Sequence, residues 1–329
     1  MYQANEHRYE KMSYRRVANT GLVLPAVSLG LWRGFGDKRP LSNTRKVLLD
    51  AFDSGINHFD LANNYGPKPG SAESSFGAVF QSDLKPYRDE MIVSSKAGFD
   101  MWQGPYGSMS SKKHLVASMD QSLKRTGLDY FDIFYTHRPD EQTSFEETAD
   151  TLDLFVKQGK ALYIGISNYS KEQTEKMIRL FKERHTPFVI HQVSYNMLNR
   201  EAEEGLLDVL QENKLGAIAY GPLAEGLLTD RSSQEIPADF PAHRTNSSLL
   251  APEKIASTQQ KLRSLKKIAD AREQTLSQMA LAWLLKDPTV ASVVIGSTNI
   301  DHVHDNLAAL QHLEFSQSEL NEIKTILHS

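Results

Sequence analysis

Short β-rich runs alternate with helix-like segments along almost the whole chain, and this alternation restricts the fold more than any other feature. Eight such runs occur, at residues 25–30, 56–60, 91–96, 131–137, 161–167, 188–195, 216–222 and 291–297. Most of them are continuously apolar, which is typical of strands buried on both faces of a parallel sheet. A strand that regularly alternates with a helix predicts βαβ units.

The segments between these runs carry helix signals. Residues 43–55 have an Asn or Ser cap, an apolar stripe and a terminal Gly, and residues 277–288 begin at a Ser cap and stop at a proline. Residues 170–185 open with a capping box, in which Gln173 follows Ser170 by three positions. These segments have the lengths that connect successive strands of a parallel sheet.

Eight strands in 329 residues favour an α/β (β/α)8 TIM barrel over an open doubly wound sheet. The open sheet remains the alternative, but "SLGLWRGFG" lacks the G-x-G-x-x-G order followed by a helix. No linker divides the chain, so residues 1–329 are expected to form one domain. A β-hairpin with a turn at residues 19–21 is predicted ahead of the barrel and is expected to close its bottom. The one oversized connection, residues 223–253 between the last two strands, is a candidate for a functional loop.

Composition and charge exclude several classes of protein. The net charge is −4 without a long run of one sign, so no nucleic-acid partner is expected. The absence of cysteine excludes disulfides and thiolate sites. The N-terminus is polar and of mixed charge, unlike a signal peptide, and no apolar run approaches the roughly 20 residues of a membrane span. A cytoplasmic protein without a membrane partner is therefore expected, while a homo-oligomer stays open.

The carboxyl ends of the predicted strands carry polar residues. In a barrel enzyme these ends converge on one mouth, where the chemistry takes place. An acid, a lysine and a histidine close three successive strands, as Asp60, Lys96 and His137, and Tyr65 follows Asp60 by five residues. Each has an ordinary alternative explanation as a helix cap, a solvated strand end or a packed side chain, but their matching positions favour a common site.

An acid, a lysine and a phenol together can form a tunable proton donor. A phenol has a reference pKa near 10, and a neighbouring ammonium favours its ionised form. The Asp60 carboxylate would hold Lys96 charged, and Lys96 would lower the pKa of Tyr65. His137 could donate a hydrogen bond to a substrate oxygen. Carbonyl reduction needs such a donor, because hydride reaches carbon while a proton reaches oxygen.

The residues around these positions resemble the aldo-keto reductases. "GINHFDLANNYGPKPGSAESSFG", "VSSKAG" and "DYFDIFYTHRPD" are similar to the segments that carry the family's catalytic tetrad. "GISNYS", "HQVSYNMLNR", "YGPLAEGLLT" and "IGSTNIDHVHDNLAAL" resemble its cofactor segments. The resemblance runs from about Tyr14 to the C-terminus. It looks closest to the branch that includes potassium-channel β subunits and bacterial glyceraldehyde-3-phosphate reductases.

The resemblance implies a role for each matching residue. The catalytic tetrad would be Asp60, Tyr65, Lys96 and His137, with Tyr65 the general acid. NADP(H) would be held by Trp32, Asp60, Ser167, Asn168, Gln192, Tyr220, Pro222, Leu223, Ala224, Gly226, Arg231, Arg244, Gly296, Ser297, Thr298, His302, Asp305 and Asn306. A small carbonyl substrate would contact Trp32, Tyr65, Trp102 and His137. The loop at 223–253 would cover the cofactor.

The sequence departs from the family pattern in the adenosine region. The family often has Gln where His302 stands, Glu where Asp305 stands, and Lys where Arg231 stands. Phe240 and Pro241 also replace a common Ser-Arg pair. The resemblance therefore implies NADPH-dependent reduction of a small polar aldehyde or ketone, such as glyceraldehyde 3-phosphate or methylglyoxal. The alternatives are a Schiff-base aldolase that uses Lys96, and an accessory channel-like subunit with vestigial activity.

Overall fold

Eight parallel strands form a closed barrel in the computed structural model, which describes residues 2–66, 68–236, 240, 242 and 247–328. Two short strands precede the barrel. The strands are β1 Tyr14–Arg16, β2 Val23–Pro25, β3 Val27–Gly30, β4 His58–Asp60, β5 Ile92–Ala97, β6 Phe131–Thr136, β7 Ala161–Ser167, β8 Phe188–Ser194, β9 Gly216–Tyr220 and β10 Val290–Ile295. Their order around the barrel follows the chain, and β10 closes it against β3. The predicted (β/α)8 barrel is confirmed, and the open-sheet alternative is wrong.

Helices connect the strands on the outside of the barrel. In the part of the chain that the structure describes they are α1 Leu41–Asp53, α2 Ser71–Val79, α3 Lys112–Thr126, α4 Phe145–Lys157, α5 Lys171–Arg184, α6 Leu206–Glu212, α7 Asp230–Gln234, α8 Ile255–Ala271, α9 Leu276–Leu285, α10 Ile300–Ala308 and α11 Gln317–His328. None of these helices has the length and apolar character that crossing a membrane requires.

The helix starts agree with the sequence signals at one position and differ at two. Ser170 and Gln173 form the predicted capping box of α5. For α9 the cap is Thr275, whose side chain accepts from the Gln278 N–H, while the predicted cap, Ser277, lies inside the first turn. A Thr with Gln three residues on is the stronger capping signal. α1 begins after Pro40 without a side-chain cap, earlier than predicted.

The first two strands cover the bottom of the barrel. β1 and β2 pair antiparallel, as predicted. Val17, Leu22 and Leu24 from this hairpin are buried in one cluster with Val189 and Ala291, which lie at the amino ends of β8 and β10. The interior is therefore closed at this end, and the opposite end, where the strands terminate, is left for the site.

The last strand pairs with the first strand of the barrel and closes it. In this closing pair Val293 lies opposite Val27, in parallel register. Ser292 and Ser28 meet inside the barrel with 2.6 Å between their Oγ atoms. Two apolar strands and one buried hydroxyl pair thus join the two ends of the chain.

The predicted long connection after β9 is present but is not free of regular structure. It contains the short helix α7 and 3₁₀ turns at Ala224–Gly226 and Ser248–Leu250, and α7 packs against α8. Each of these turns is short and buries few residues. The sequence therefore shows no regular spacing of apolar residues that would predict them. Pro241 and Arg244, both named in the sequence analysis, lie outside the described residues.

Candidate active site

Asp60 ends β4 and receives hydrogen bonds from three side chains, two on β5 and one on β8. Lys96 Nζ lies 2.6 Å from Oδ2, while Ser94 Oγ and Gln192 Nε2 donate to Oδ1 over 2.6 and 3.1 Å. The parallel register places Ser94 beside Asp60, and only 1% of Asp60 is exposed. A buried carboxylate requires such partners, so the barrel holds Asp60 in one orientation.

Lys96 is completely buried and connects Asp60 with the loop that follows it. Its ammonium donates to Asp60 Oδ2, to the Leu61 carbonyl over 2.7 Å and to the Tyr65 hydroxyl over 3.4 Å. Burial lowers the pKa of Lys96, and the Asp60 carboxylate opposes this shift. The three bonds use all three ammonium protons.

Tyr65 returns to the barrel mouth because the chain turns sharply after it. Gly66 has a φ of 93°, and a Cβ there would collide with Ser71 Oγ, so glycine is required. The turn is fixed by the Gly66 N–H, which donates to the Trp32 carbonyl over 3.1 Å, and by the Tyr65 N–H, which donates to Ala62. The predicted proximity of Asp60, Lys96 and Tyr65 is therefore present in the structure.

The acidity of Tyr65 differs from the expectation. Burial raises the pKa of Tyr65 well above its ordinary value, and the Asp60 carboxylate raises it further. The sequence reasoning assumed that Lys96 would lower this pKa, but its two shorter bonds go to Asp60 and Leu61. Desolvation dominates, and Tyr65 is a neutral phenol that carries its proton at pH 7.

His137 follows β6 and faces Tyr65 across the mouth. The ring centroids of these two residues are 5.7 Å apart, and Phe99 contacts the other side of the imidazole at 4.7 Å. Burial lowers the pKa of His137 well below its ordinary value, with Lys96 and Arg138 adding to the shift. The imidazole is neutral. Its Nδ1 is buried and has no hydrogen-bond partner among the described residues, which leaves Nε2 as the nitrogen that can donate to a substrate at the mouth.

Four of the predicted cofactor residues, Ser167, Asn168, Gln192 and Tyr220, lie around the same opening. Ser167 and Gln192 are buried at the ends of β7 and β8. Asn168 has a φ of 63° and donates from Nδ2 to the His137 carbonyl over 2.9 Å. The Tyr220 hydroxyl donates to Asn168 Oδ1 over 2.7 Å, so its ring is fixed beside the opening.

The loops after β9 and β10 have features that suit a phosphate-bearing ligand. Ala224 and Glu225 have φ values of 48° and 55°, a conformation that costs a non-glycine residue about 1–3 kcal/mol and is concentrated at ligand-binding positions. A Cβ on Gly296 would meet no atom of the described residues within 4 Å, so among these residues open space lies before it. Asn299 caps α10, whose first turn leaves backbone N–H groups without helical partners.

Arg39 is a candidate residue that the sequence reasoning missed. Its guanidinium Nη1 donates to Thr298 Oγ1 over 2.8 Å, which places a cation beside the loop after β10. No local motif marks Arg39, because the contact joins two loops at opposite ends of the sequence. Only the closing pair of strands brings them together.

The residues predicted to contact the adenosine half of the cofactor lie in different environments. His302 is exposed, and Asn306 is buried on the same helix. The Asp305 carboxylate accepts from Gln278 over 2.7 Å. The Arg231 guanidinium lies 5.5 Å from the ring centroid of Phe240, a ring that packs over Gly226.

The aromatic residues proposed to line the substrate pocket differ in environment. Trp32 is 45% exposed beside the mouth, and the Arg33 guanidinium stacks over it at 4.1 Å. Trp102 is half-buried and lies 4.9 Å from the His114 ring, so it packs on the start of α3. Phe35, three residues after Trp32, is a further aromatic residue near the pocket, but it is 1% exposed and belongs to the core.

Together these groups fit a nicotinamide dinucleotide. The strained backbone after β9, the open space before Gly296 and the helix start at Asn299 lie on the loops after the last two strands. Gln192 bonds to Asp60, and Asn168 bonds to the His137 carbonyl and to Ser167, so these amide and hydroxyl groups lie beside the tetrad. Barrels commonly bind phosphate at these last two loops.

Comparisons with known proteins agree with this arrangement. A model of the aldo/keto reductase family matches residues 26–328. The chain is 52% identical to the L-glyceraldehyde 3-phosphate reductase of Escherichia coli (strain K12) over 327 residues, 98% of this chain and 94% of that protein. It is also 32% identical over 323 residues to a probable voltage-gated potassium channel subunit beta of Oryza sativa subsp. japonica, 97% of each chain. A putative subunit of the same kind from Schizosaccharomyces pombe is 32% identical over 338 residues, 100% of this chain and 97% of that protein. The chain therefore belongs to the aldo/keto reductase family of oxidoreductases.

Proposed function

We propose that this protein reduces small polar aldehydes to alcohols with NADPH, using Tyr65 as the general acid. The observation that carries the proposal is that the buried Lys96 ammonium contacts both Asp60, at 2.6 Å, and the Tyr65 hydroxyl, at 3.4 Å. The family supports the reaction class, and the identity to the Escherichia coli enzyme supports a small aldehyde as substrate.

The residues of the mouth would divide the reaction between them. When bound, the cofactor supplies hydride to the carbonyl carbon. Tyr65 carries the proton that the carbonyl oxygen needs, since its raised pKa keeps it protonated at pH 7. Neutral His137 would donate a hydrogen bond to the same oxygen and orient it. Lys96 would stabilise the phenolate that Tyr65 becomes, because it already lies at the hydroxyl.

The cofactor would lie across the mouth from β7 to β10. Ser167, Asn168 and Gln192 would bind the carboxamide, and the Tyr220 ring would lie against the nicotinamide. Pro222, Leu223, Ala224 and Gly226 would hold the pyrophosphate, with the segment 223–253 folded over it. Gly296, Ser297, Thr298, His302, Asp305 and Asn306 would bind the adenosine half, and Arg39 adds a cation to this loop.

A preference for NADPH follows from the cations of this region. The 2′-phosphate needs a charge-assisted partner, and the planar fork of arginine suits it. Arg231 and Arg244 belong to the segment between β9 and β10, and we favour Arg244 as the contact.

The surroundings of Lys96 disfavour a Schiff-base aldolase. A nucleophilic lysine needs a free, neutral amine that can reach a carbonyl carbon. Lys96 is fully buried, and its amine bonds to Asp60, to Leu61 and to Tyr65, which lies between it and the mouth. An accessory subunit without chemistry is disfavoured because all four tetrad side chains are present and adjacent.

The test is a kinetic screen of small aldehydes, including glyceraldehyde 3-phosphate and methylglyoxal, with NADPH and with NADH. Tyr65→Phe should lower kcat at least a hundredfold, the lower end of the ~10²–10⁴ range for a general acid, and should leave cofactor affinity unchanged. Tyr163→Phe is the matched control, since this phenol lies on β7 facing the hairpin near Gly21. No NADPH oxidation with any aldehyde, or normal turnover in Tyr65→Phe, would contradict the proposal.

A further inference from the structure

A chain of buried polar side chains crosses the barrel interior beneath Asp60. Ser94 Oγ bonds to Asp60 Oδ1 over 2.6 Å, and His58 Nε2 lies 3.0 Å from the same Ser94 oxygen. Ser28 Oγ lies 2.8 Å from His58 Nδ1, and Ser292 Oγ lies 2.6 Å from Ser28 Oγ. Ser94, His58, Ser28 and Ser292 are all 0% exposed.

Counting donors, together with a neutral His58 ring, gives the direction of the hydrogen bonds in this row of side chains. The Asp60 carboxylate is ion-paired with Lys96 and can only accept hydrogen bonds. Ser94 must therefore donate its single hydroxyl proton to Asp60. The Ser94 oxygen must then accept from His58, which places a proton on Nε2. Burial keeps the ring neutral, so His58 Nδ1 is an acceptor and Ser28 donates to it. Ser292 in turn donates to Ser28.

The protonation of His58 agrees with this direction. Burial lowers the pKa of His58 to about 4, against a weaker opposing effect of Asp60 and with a contribution from Lys96. The ring is therefore neutral at pH 7 and exists as one tautomer, with hydrogen on Nε2. A fully buried histidine held in one tautomer by two hydroxyls has no freedom to turn.

We propose that His58 and Ser94 are positioning residues for the reduction, because their one-way hydrogen-bond chain fixes the Asp60 carboxylate so that Oδ2 faces Lys96. This proposal rests on the tetrad roles given under Proposed function. Neither His58 nor Ser94 touches the substrate or the cofactor in this assignment. They act through Asp60 and Lys96 on the hydroxyl of Tyr65.

The geometry explains why orientation matters here. Oδ1 accepts from Ser94 and Gln192, and Oδ2 accepts from Lys96, so the two oxygens have different partners. If Ser94 no longer donates, the carboxylate can rotate toward Gln192 and draw Lys96 with it. The contact between Lys96 and Tyr65, already 3.4 Å, would then lengthen further. Misplacement of a catalytic group by about 1 Å can cost about 10²-fold in rate.

β5 supplies a matched control for the loss of one buried serine. Ser95 is the next residue, is also 0% exposed, and also donates to a buried carboxylate, Glu73, over 2.6 Å. It faces the surrounding helices instead of the barrel interior. Ser94→Ala and Ser95→Ala thus remove the same kind of bond from the same strand, on opposite faces.

The kinetic experiment compares these variants in the full-length enzyme with NADPH and its best aldehyde. Ser94→Ala should lower kcat about tenfold or more with KM for the aldehyde changed less than threefold, because the effect reaches the reacting proton and not the binding groups. Ser95→Ala should keep kcat within about twofold. His58→Leu should resemble Ser94→Ala, whereas His58→Gln, which keeps an N–H for Ser94, should recover most of the loss.

A second measurement does not depend on catalytic activity. Nitrogen-15 NMR of the wild-type protein with labelled histidine should show His58 neutral near pH 7, with hydrogen on Nε2 and none on Nδ1, the signal being assigned by its absence in His58→Gln. A protonated Nδ1 on His58 would refute the proposed direction of the hydrogen bonds from Ser292 to Asp60. Equal kcat in Ser94→Ala and Ser95→Ala would refute its role in positioning. A wild-type enzyme that reduces no aldehyde would instead refute the proposed function, and the NMR result would still test the chain.

Discussion

The ion pair of Lys96 and Asp60 should be strongly coupled in stability, because neither partner has access to water. The exposed fractions of the two side chains are 0% and 2%, and their charged atoms are 2.6 Å apart. Lys96→Met leaves Asp60 with two neutral donors, Ser94 and Gln192, and no counter-charge. Removing one partner of a buried pair costs about 3–5 kcal/mol, so the free energy of unfolding should fall by that amount.

The double variant Asp60→Asn/Lys96→Met should lose less stability than the two single variants added together. Removing both charges leaves no buried ion to be desolvated, and Asn can still accept from Ser94. We expect a coupling energy of about 2–3 kcal/mol, at the upper end of measured pairs in contact. The assay is urea unfolding at pH 7 followed by far-ultraviolet circular dichroism, with all four proteins compared at equal concentration.

A surface pair provides the control for this cycle. Lys160 and Asp120 also lie 2.7 Å apart, but their side chains are 29% and 56% exposed. The same cycle on this pair, with Lys160→Met and Asp120→Asn, should give a coupling of about 0–1 kcal/mol. If the losses of unfolding free energy in the two single variants at Lys96 and Asp60 add up to that of the double variant within about 0.5 kcal/mol, burial does not couple the two charges.

Three further predictions concern pH, cofactor choice and the segment 223–253. Burial lowers the pKa of His191 to about 3, below its unfolded value of about 6.5, so its contribution to stability is complete above pH 6.5 and is lost as the pH falls. His191→Leu should therefore remove about 2 kcal/mol of the decline in unfolding free energy between pH 7 and pH 5, and an unchanged slope in urea titrations would contradict this. Arg244→Ala should weaken NADPH binding about ten- to a hundredfold and leave NADH binding unchanged, with Arg231→Ala as the control. Equal use of the two cofactors by the wild-type enzyme would contradict the preference for NADPH. Saturating NADPH should slow tryptic cleavage within residues 223–253. Equal digestion rates with and without NADPH would contradict the proposal that this segment covers the cofactor.

The strands and the tetrad could be predicted from the sequence because local patterns determine both. Continuous apolar runs mark β6 and β10 to within one or two residues, since both faces of these strands are buried. Asp60, Lys96 and His137 could be placed together because each ends a parallel strand, and parallel strands share one mouth.

Other features depend on contacts between distant parts of the chain and could not be predicted in this way. The bond from Gln192 to Asp60 spans the barrel between β8 and β4, and nothing near either residue indicates it. The pKa of Tyr65 depends on how completely the loop buries the phenol, which no spacing reveals. The Thr275 cap was missed because two hydroxyl residues, Thr275 and Ser277, lie two positions apart and offer competing helix starts.

The closing pair of strands also has a consequence for synthesis on the ribosome. Ser28 and Ser292 are 264 residues apart in the chain, so β3 has no neighbour on one side until nearly all of the protein has been made. Contacts of such separation form late, and an unpaired strand edge can associate with other chains in the meantime. A nascent chain that stops before β10 would expose that edge permanently. Truncation at the C-terminal strand should therefore produce aggregates and not a smaller soluble enzyme.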